Sequence, residues 1–413
     1  MKRFLIVAIG AVVLSGTSVL AAELTLDDCI NLALKNRESI IRARGAEDVA
    51  RMGKWAALGA FLPNVNASYD YAHVDVNGVT GSSRGATLYA GIRIPDVVAS
   101  VFDYSAASVD LAGARLDVIA SEQDLIYAVK AAYYGYLADV QNVSILEEAV
   151  KRSEEQLKLI QSKFDLGSAS KSDVLKQKVQ YGNDRLELLK AQNGVSTAVS
   201  ALAYTIGIDP RADWQFSTKY TVRAFDGSLD SAVAFGLTHQ PGLLSLEKSL
   251  KSARIGYKTA LTQYLPAIGV SASWSKDLPD HGPEVTTKSY GYGFSWNLFD
   301  GFRRESAVTR ARVARNNALA GLANTRNKTV SDIKTAYLQI NQLKEQKTVA
   351  EETVASATED IKITQEKYNL GAATILDLLD AQVSLKRAEV SLIGVDFNLN
   401  LAIAILEKSM GKL

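Results

Sequence analysis

The chain has 413 residues with 46 basic and 45 acidic side chains, a net charge of +1. That balance excludes a nucleic-acid surface built on excess basic charge and a polybasic membrane footprint. The single cysteine, Cys29, excludes an internal disulfide and reads as a small buried apolar residue, while seven prolines amid abundant Ala, Leu, Val, Lys, Glu and Gln favour long helices.

Residues 1–21 read as a secretory signal peptide: Lys2 and Arg3, the apolar run Phe4–Leu20, and small residues around Val19-Leu20-Ala21 for cleavage. The run is short for an anchor helix and is broken by Gly10, Ser15, Gly16, Thr17 and Ser18. Leu26-Asp27-Asp28 before Cys29 does not fit a lipid-attachment box. No later stretch offers 18 apolar residues, so membrane residence would have to be without helices.

Thr25–Asn36 is predicted as a short amphipathic helix, and Ser39–Leu62 as a second that ends at Pro63. The period then changes from helical to alternating. Val65, Ala67, Tyr69 and Tyr71 alternate with polar residues, and a Gly/Ser-rich stretch, Val76–Gly85, reads as a long loop. Ala86, Leu88, Ala90, Ile92 and Ile94 alternate after it, giving a β-hairpin over about 64–95. From about Asp96 to Leu166 no proline interrupts the chain, and Val129, Tyr136, Val143, Val150, Leu157 and Phe164 recur every seven residues, as in a coiled coil. A turn at Gly167 and a return helix ending near Gly207 complete the unit.

This unit, residues 22–208, is then written again as residues 227–413, with 209–226 between them as a linker or belt segment that includes Trp214. Leu26, Asp27, Gly53, Leu62 and Pro63 recur as Leu229, Asp230, Gly256, Leu265 and Pro266; Gln161–Gly167 recurs as Gln365–Gly371. So long a repeat is a whole multi-element unit and not a solenoid module. The second hairpin spans about 267–298 with a loop at Lys276–Lys288. Its last strand places Tyr290, Tyr292, Phe294, Trp296 and Leu298 on one face and small or polar residues on the other, the pattern of a lipid-facing strand. Four such strands cannot close a membrane barrel, since the smallest have about eight, so either the sheet is soluble or several chains pool their strands. The second long helix, from about Asp300 to Leu370, carries Ile333, Ile340, Lys347, Val354, Ile361 and Tyr368 on one heptad line and Ala336, Leu343, Ala350, Ala357 and Thr364 on another.

No catalytic or metal-binding constellation appears: His73, His239 and His281 are scattered, and there is no P-loop, HExxH or paired-cysteine pattern, so neither an enzyme nor a cofactor is expected. The carboxylates after the helix turns stand out. Ser170-x-x-Asp173 and Thr374-x-x-Asp377 have the form of capping boxes, which accounts for those two acids as helix starts. Capping does not account for Asp380, whose counterpart in the first unit is Lys176.

The chain resembles the TolC-like outer membrane efflux protein family. The resemblance rests on Leu24-Thr25-Leu26-Asp27-Asp28, Leu62-Pro63, Leu265-Pro266, Asn297-Leu298-Phe299-Asp300-Gly301 and, above all, Tyr368–Gln382 with its Gly371, Thr374, Asp377 and Asp380. It implies a mainly α chain with membrane β: a homotrimer whose shared 12-stranded outer-membrane β-barrel continues into a periplasmic α-helical tunnel. It implies a passive exit duct in outer-membrane lipid, serving tripartite efflux or type I secretion, that meets a periplasmic membrane-fusion adaptor and an inner-membrane transporter. It also implies a periplasmic gate in which Asp377 and Asp380 ring the narrow end and Tyr368 is linked to Asp173, around the turn residues Gly167, Ser170, Gly371 and Thr374. The family's arginine two residues after Gly371 is Ala373 here, and Lys171 or Lys176 would have to replace it. Only Lys412 and Leu413 follow Gly411, so the belt is expected to be slimmer than in members with long C-terminal tails. The rival reading is a periplasmic coiled-coil adaptor or structural protein with soluble β-modules.

Overall fold

The computed structural model describes residues 23–220, 225–279 and 283–413. The expected signal peptide and His281 lie outside the described residues. Twelve elements follow in order: α1 (Leu26–Asn36), α2 (Glu38–Gly59), β1 (Asn64–Val76), β2 (Val79–Arg93), α3 (Ile94–Asp165), α4 (Lys171–Ile206), α5 (Leu229–His239), α6 (Pro241–Thr262), β3 (Ala267–Pro279), β4 (Val285–Ser295), α7 (Arg303–Asn369) and α8 (Ile375–Met410). At 1.5 Å per residue, α3 is about 108 Å long and α7 about 100 Å.

The strands form one antiparallel sheet in the order β1-β2-β3-β4. Directly paired residues share a face, so register sorts the side chains. Asn64, Gly91, Ser271 and Gly291 stand in one row, and Asn66, Tyr89, Ser273 and Ser289 in the next. Between them, on the opposite face, lies the row Val65, Ala90, Ala272 and Tyr290. That face is apolar and open: Tyr290 is 82% exposed and Tyr292 92%. The outer edges of β1 and β4 pair with nothing among the described residues.

The strands are longer than the alternation suggested, and both expected loops shrink. Asn77 (φ 54°) and Gly78 (φ 82°) make a two-residue turn closed by the pair Val76 and Val79. Positive φ at both central residues is the hairpin turn that follows strand twist, and it favours Asn-Gly. Most of Val76–Gly85 is therefore strand. In the second hairpin Asp277 already pairs with Val285, so residues 280–284 alone connect β3 to β4. β4 itself ends at Ser295. Trp296 and Leu298 lie past the ladder: the Trp296 indole Nε1 donates to the Tyr264 carbonyl at 3.3 Å.

α7 starts at Arg303, three residues later than expected, because Gly301 (φ 69°) and Phe302 (φ 66°) adopt left-handed backbone. The Asp300 carboxylate caps the helix, accepting from the amides of Arg303 (3.1 Å) and Arg304 (3.2 Å). α8 holds an 18-residue window of mean hydropathy 1.6, contrary to the expectation that no later stretch is so apolar. Its apolar side instead packs on α7 and α3, and Leu378, Ala402, Ile403 and Leu406 are buried.

α7 buries one narrow seam, whereas α3 packs against α1, α2, α4, α6 and α8. On α7, Ile333, Ala336, Ile340, Leu343 and Ala350 are buried, and their heptad successors Val354, Ala357, Ile361, Thr364 and Tyr368 are half-buried. Lys347 occupies a seam position because its ammonium donates to Asp396 of α8 at 2.6 Å. Two main cores sit at corresponding heights. One joins α1, mid-α3 and the end of α4 around Cys29, Val129 and Leu202; the other joins α5, mid-α7 and the end of α8 around Ile333, Ile403 and Leu406. Burial raises the Cys29 thiol to about 12, so it is an apolar core residue. Tyr133 and Tyr136 of α3 donate their hydroxyls to the carbonyls of Ser217 and Phe216, strapping the segment after α4 across the long helix.

Replacing Ile340 with alanine should cost about 2–5 kcal/mol, the usual penalty for emptying a core site. Leu338, 55% exposed on the same helix, should cost far less in the dissociated protomer. Urea unfolding of detergent-solubilised variants, followed by circular dichroism, reads both.

Candidate functional site at the helical tip

Both long helices stop in the same way. Gly167 (φ 74°) and Gly371 (φ 75°) take the left-handed conformation that side chains disfavour. Beyond them Ser168 N donates to Lys163 O at 2.7 Å, and Ala372 N to Lys367 O at 2.8 Å. These bonds, with those from the glycine amides to Phe164 O and Tyr368 O, satisfy the last carbonyls of each helix. The return helices begin at once on capping boxes. Asp173 N donates to Ser170 Oγ at 3.2 Å while Ser170 N donates to Asp173 Oδ2 at 3.1 Å. Thr374 and Asp377 repeat the arrangement at 3.3 Å and 2.8 Å.

An apolar cluster ties the two tips together. Ile160 and Val174 of the first hairpin meet Ile375 and Leu378 of the second, with Leu157, Phe164, Tyr368 and Leu379 around them. Tyr368 therefore sits against the first hairpin. Burial, with a smaller push from the Asp173 carboxylate nearby, raises its hydroxyl above the usual tyrosine value. Lys163 Nζ lies 4.6 Å from the centre of the Tyr368 ring and donates to Asn369 Oδ1 at 3.3 Å.

The proposed gate acids do not share one environment. The Asp377 carboxylate is occupied by capping, and the Thr374 hydroxyl and then its amide hold it below the usual carboxylate range. Asp380 is exposed and has no protein partner among the described residues. Of the expected replacements for the missing arginine, Lys171 lies over the Phe164 ring at 5.4 Å and Lys176 is exposed. Beside the turns a cation that bridges the hairpins is Lys163, which sequence reading missed; its place in the QSKFDLG copy of QEKYNLG was the available signal. Among the described residues no group of His, Cys, Asp and Glu is arranged to hold a metal.

Two tandem helical hairpins, an apolar-faced sheet and acids at the far tip can be matched against known proteins. The sequence profile described as outer membrane efflux protein matches residues 29–207 and again 236–412. The chain belongs to the outer membrane efflux protein family. It is 22% identical over 417 residues to the outer membrane efflux protein BepC of Brucella suis biovar 1 (strain 1330), covering 98% of this chain and 89% of BepC. To the alkaline protease secretion protein AprF of Pseudomonas aeruginosa it is 24% identical over 390 residues, covering 89% and 80%. Its fold is similar to that of the CmeC outer membrane channel of Campylobacter jejuni, with a TM-score of 0.85 at 18% identity over 94% of this chain and 85% of that one. This efflux protein is thus a channel component of the Gram-negative outer membrane with its helices in the periplasm, and not an enzyme.

Ser170→Ala and Thr374→Ala should each lose about 0.5–2 kcal/mol of stability, the usual worth of an N-cap. Because Asp377 titrates below its ordinary value of 3.8, its contribution is complete above that pH and fades only as pH falls through the lowered value. Denaturant melts of the Thr374 variant between pH 7 and pH 3 check this: the difference from the parent should persist down to about pH 4.

Proposed function

We propose that three copies of this chain assemble into one duct that carries cargo passively from a periplasmic adaptor and an inner-membrane transporter to the cell exterior, in tripartite efflux or type I secretion. The observation that carries the reading is the sheet. Its apolar face is largely exposed, and among the described residues neither edge is paired. Lipid demands that every backbone group be paired, so four strands need company; three copies give a 12-stranded barrel with no edge. The helices agree. Ile41, Val49, Met52 and Trp55 on α2, and Leu175, Val179, Leu186 and Leu189 on α4, are exposed stripes at helical spacing with no partner in the protomer. A soluble adaptor would leave Tyr290, Tyr292 and Phe294 in water. We read residues 1–21 as the signal peptide, and 22–208 and 227–413 as equivalent halves joined by the 209–226 segment. The twofold profile match and the recurring element order support this.

We assign Asp377 and Asp380, with Tyr368 and Asp173 behind them, to a periplasmic gate. The acids stand three apart at a helix start, on one side of its first turn. Threefold repetition would ring the narrow end with six carboxylates, which favours cations and binds multivalent ones as plugs. Tyr290, Tyr292 and Phe294 face lipid, and Trp296 and Leu298 continue the apolar surface past the strand.

Cell fractionation should place the protein in the outer membrane, and a tag in the 280–284 connection should be labelled on intact cells; recovery with the inner membrane, or labelling only after permeabilisation, would sink the duct reading. In planar bilayers, Asp377→Asn with Asp380→Asn should weaken cation selectivity and block by trivalent cations. Unchanged selectivity and block would overturn the gate and leave Asp377 as a helix cap alone.

A further inference from the structure

Register sorts charge between the two faces of the sheet. At the end far from the helices, Asp70 and Asp277 stand in one row with Gly85 between them. The cations stand on the opposite, apolar face: Lys276 pairs with Ala86 and Thr286, Lys288 with Trp274, and Arg84 with Tyr71 and Leu278. Lys276 is thus the diagonal neighbour of both Arg84 and Lys288 on adjoining strands, about 7–8 Å from each. Lys276 Nζ lies 2.6 Å from a Glu284 carboxylate oxygen. Asp75, also on this face, accepts from the Gly78 amide at 3.0 Å. Arg84 and Lys288 are exposed, and among the described residues no acid answers either.

Beside the cations, toward the helices, the same face has a hollow. Ala90, Ala272 and Tyr290 stand in one row and Ile92, Val270 and Tyr292 in the next, and together they line a cavity of about 450 Å³. Lys and Arg on a lipid-facing strand are costly at mid-membrane and tolerated near the interface. From Ile268 to Lys276 the strand climbs about 27 Å at 3.4 Å per residue. With a tilt near 40° that is roughly 20 Å of depth, close to the top of an apolar band about 25 Å tall. The helices are periplasmic, so this end of the sheet reaches the outer leaflet, whose main lipid is a phosphorylated glycolipid.

We propose that Arg84, Lys276 and Lys288 form, with the hollow beside them, a binding site for that anionic lipid: a glycolipid phosphate rests on the cations and an acyl chain lies over Ala90 and Ala272. Charge complementarity selects this occupant, since a neutral lipid would leave Arg84 and Lys288 unanswered. Phosphate suits a diagonal line of cations because its oxygens accept charge-assisted hydrogen bonds from more than one of them. The lysine stems lie along apolar surface while their ammonium groups reach the headgroups. Asp70 and Asp277 face the other way, so Glu284 is the acid beside the phosphate, and Lys276 engages it. The inference rests on the reading that this face meets lipid.

The test is native mass spectrometry of the purified full-length protein in detergent, titrated with diphosphorylated lipid A, with its dephosphorylated form and with phosphatidylglycerol. Diphosphorylated lipid A should bind most tightly. Arg84→Gln with Lys276→Gln and Lys288→Gln should lower its affinity about tenfold or more, since each cation near an anionic lipid surface is worth about fivefold. The same neutralisation of Arg326, Lys334 and Lys362, exposed on α7, should leave it unchanged. Ala272→Trp keeps every charge and fills the hollow, so it should also weaken binding, and it is read alone should the neutralised sheet not assemble. Unchanged affinity in either sheet variant, equal loss in the α7 variant, or equal binding of the dephosphorylated form would overturn the site. Phosphatidylglycerol bound as tightly as lipid A would overturn the glycolipid assignment, and displacement of lipid A by inorganic phosphate would show a free-anion site instead. A parent protein that binds no lipid at all would overturn the lipid-facing reading itself, which separates the two failures.

Discussion

Hydrocarbon leaves no backbone amide or carbonyl without a partner, and this one constraint governs the chain from end to end. The sheet satisfies it only in its interior; the free edges of β1 and β4 present unpaired groups that a further strand must take up. A four-stranded meander with an aromatic face is therefore a fragment by its own physics. The helices inherit the same incompleteness, since the strands lead directly into α3 and, through Trp296–Phe302, into α7. Whatever symmetry closes the barrel fixes the spacing of the helices hung beneath it.

Below the sheet, length and seam width set the design. A helix of about 100 Å needs support along its length; here α7 is held against α5, α6 and α8, and α3 against α1, α2, α4, α6 and α8. Small seam residues such as Ala336 and Ala350 let the backbones approach closely, while Lys347 shows how a charge is accommodated in the seam when Asp396 faces it. On α7 the narrow seam leaves much of the helix surface exposed. One set of exposed stripes suits neighbouring copies, and the remaining polar surface suits a water-filled wall.

Much of this was legible in the sequence, for identifiable reasons. The duplication, the heptads and the change to alternating period are repeated many times over, so single exceptions do not obscure them. What was misread was local and conformational. Gly81, Ser82, Ser83 and Gly85 look like loop residues, yet they are ladder residues, because the pairing partner and not the propensity decides a strand. The Asn77-Gly78 pair carried the correct signal and was outweighed by its Gly/Ser-rich surroundings. The delayed start of α7 depends on left-handed backbone at Phe302, which no residue preference announces. At the tip, the capping boxes and turn glycines were readable as motifs. Lys163 was legible only as a position in the repeated heptapeptide, because its contact with Tyr368 joins elements from the two halves of the chain.

That asymmetry between the halves lies in their charges. The two hairpins share the turn glycine, the capping box and the seam, so their folds are interchangeable; their charges are not. The first presents Lys176 where the second presents Asp380, and the second presents Lys386 to Asp184 and Glu187 of the first. Unequal charges placed on an otherwise repeated scaffold give one hairpin an ion pair to the other. The duplicated fold thus supplies the repeated scaffold, and the departures from duplication supply the ion pairs that join its two halves.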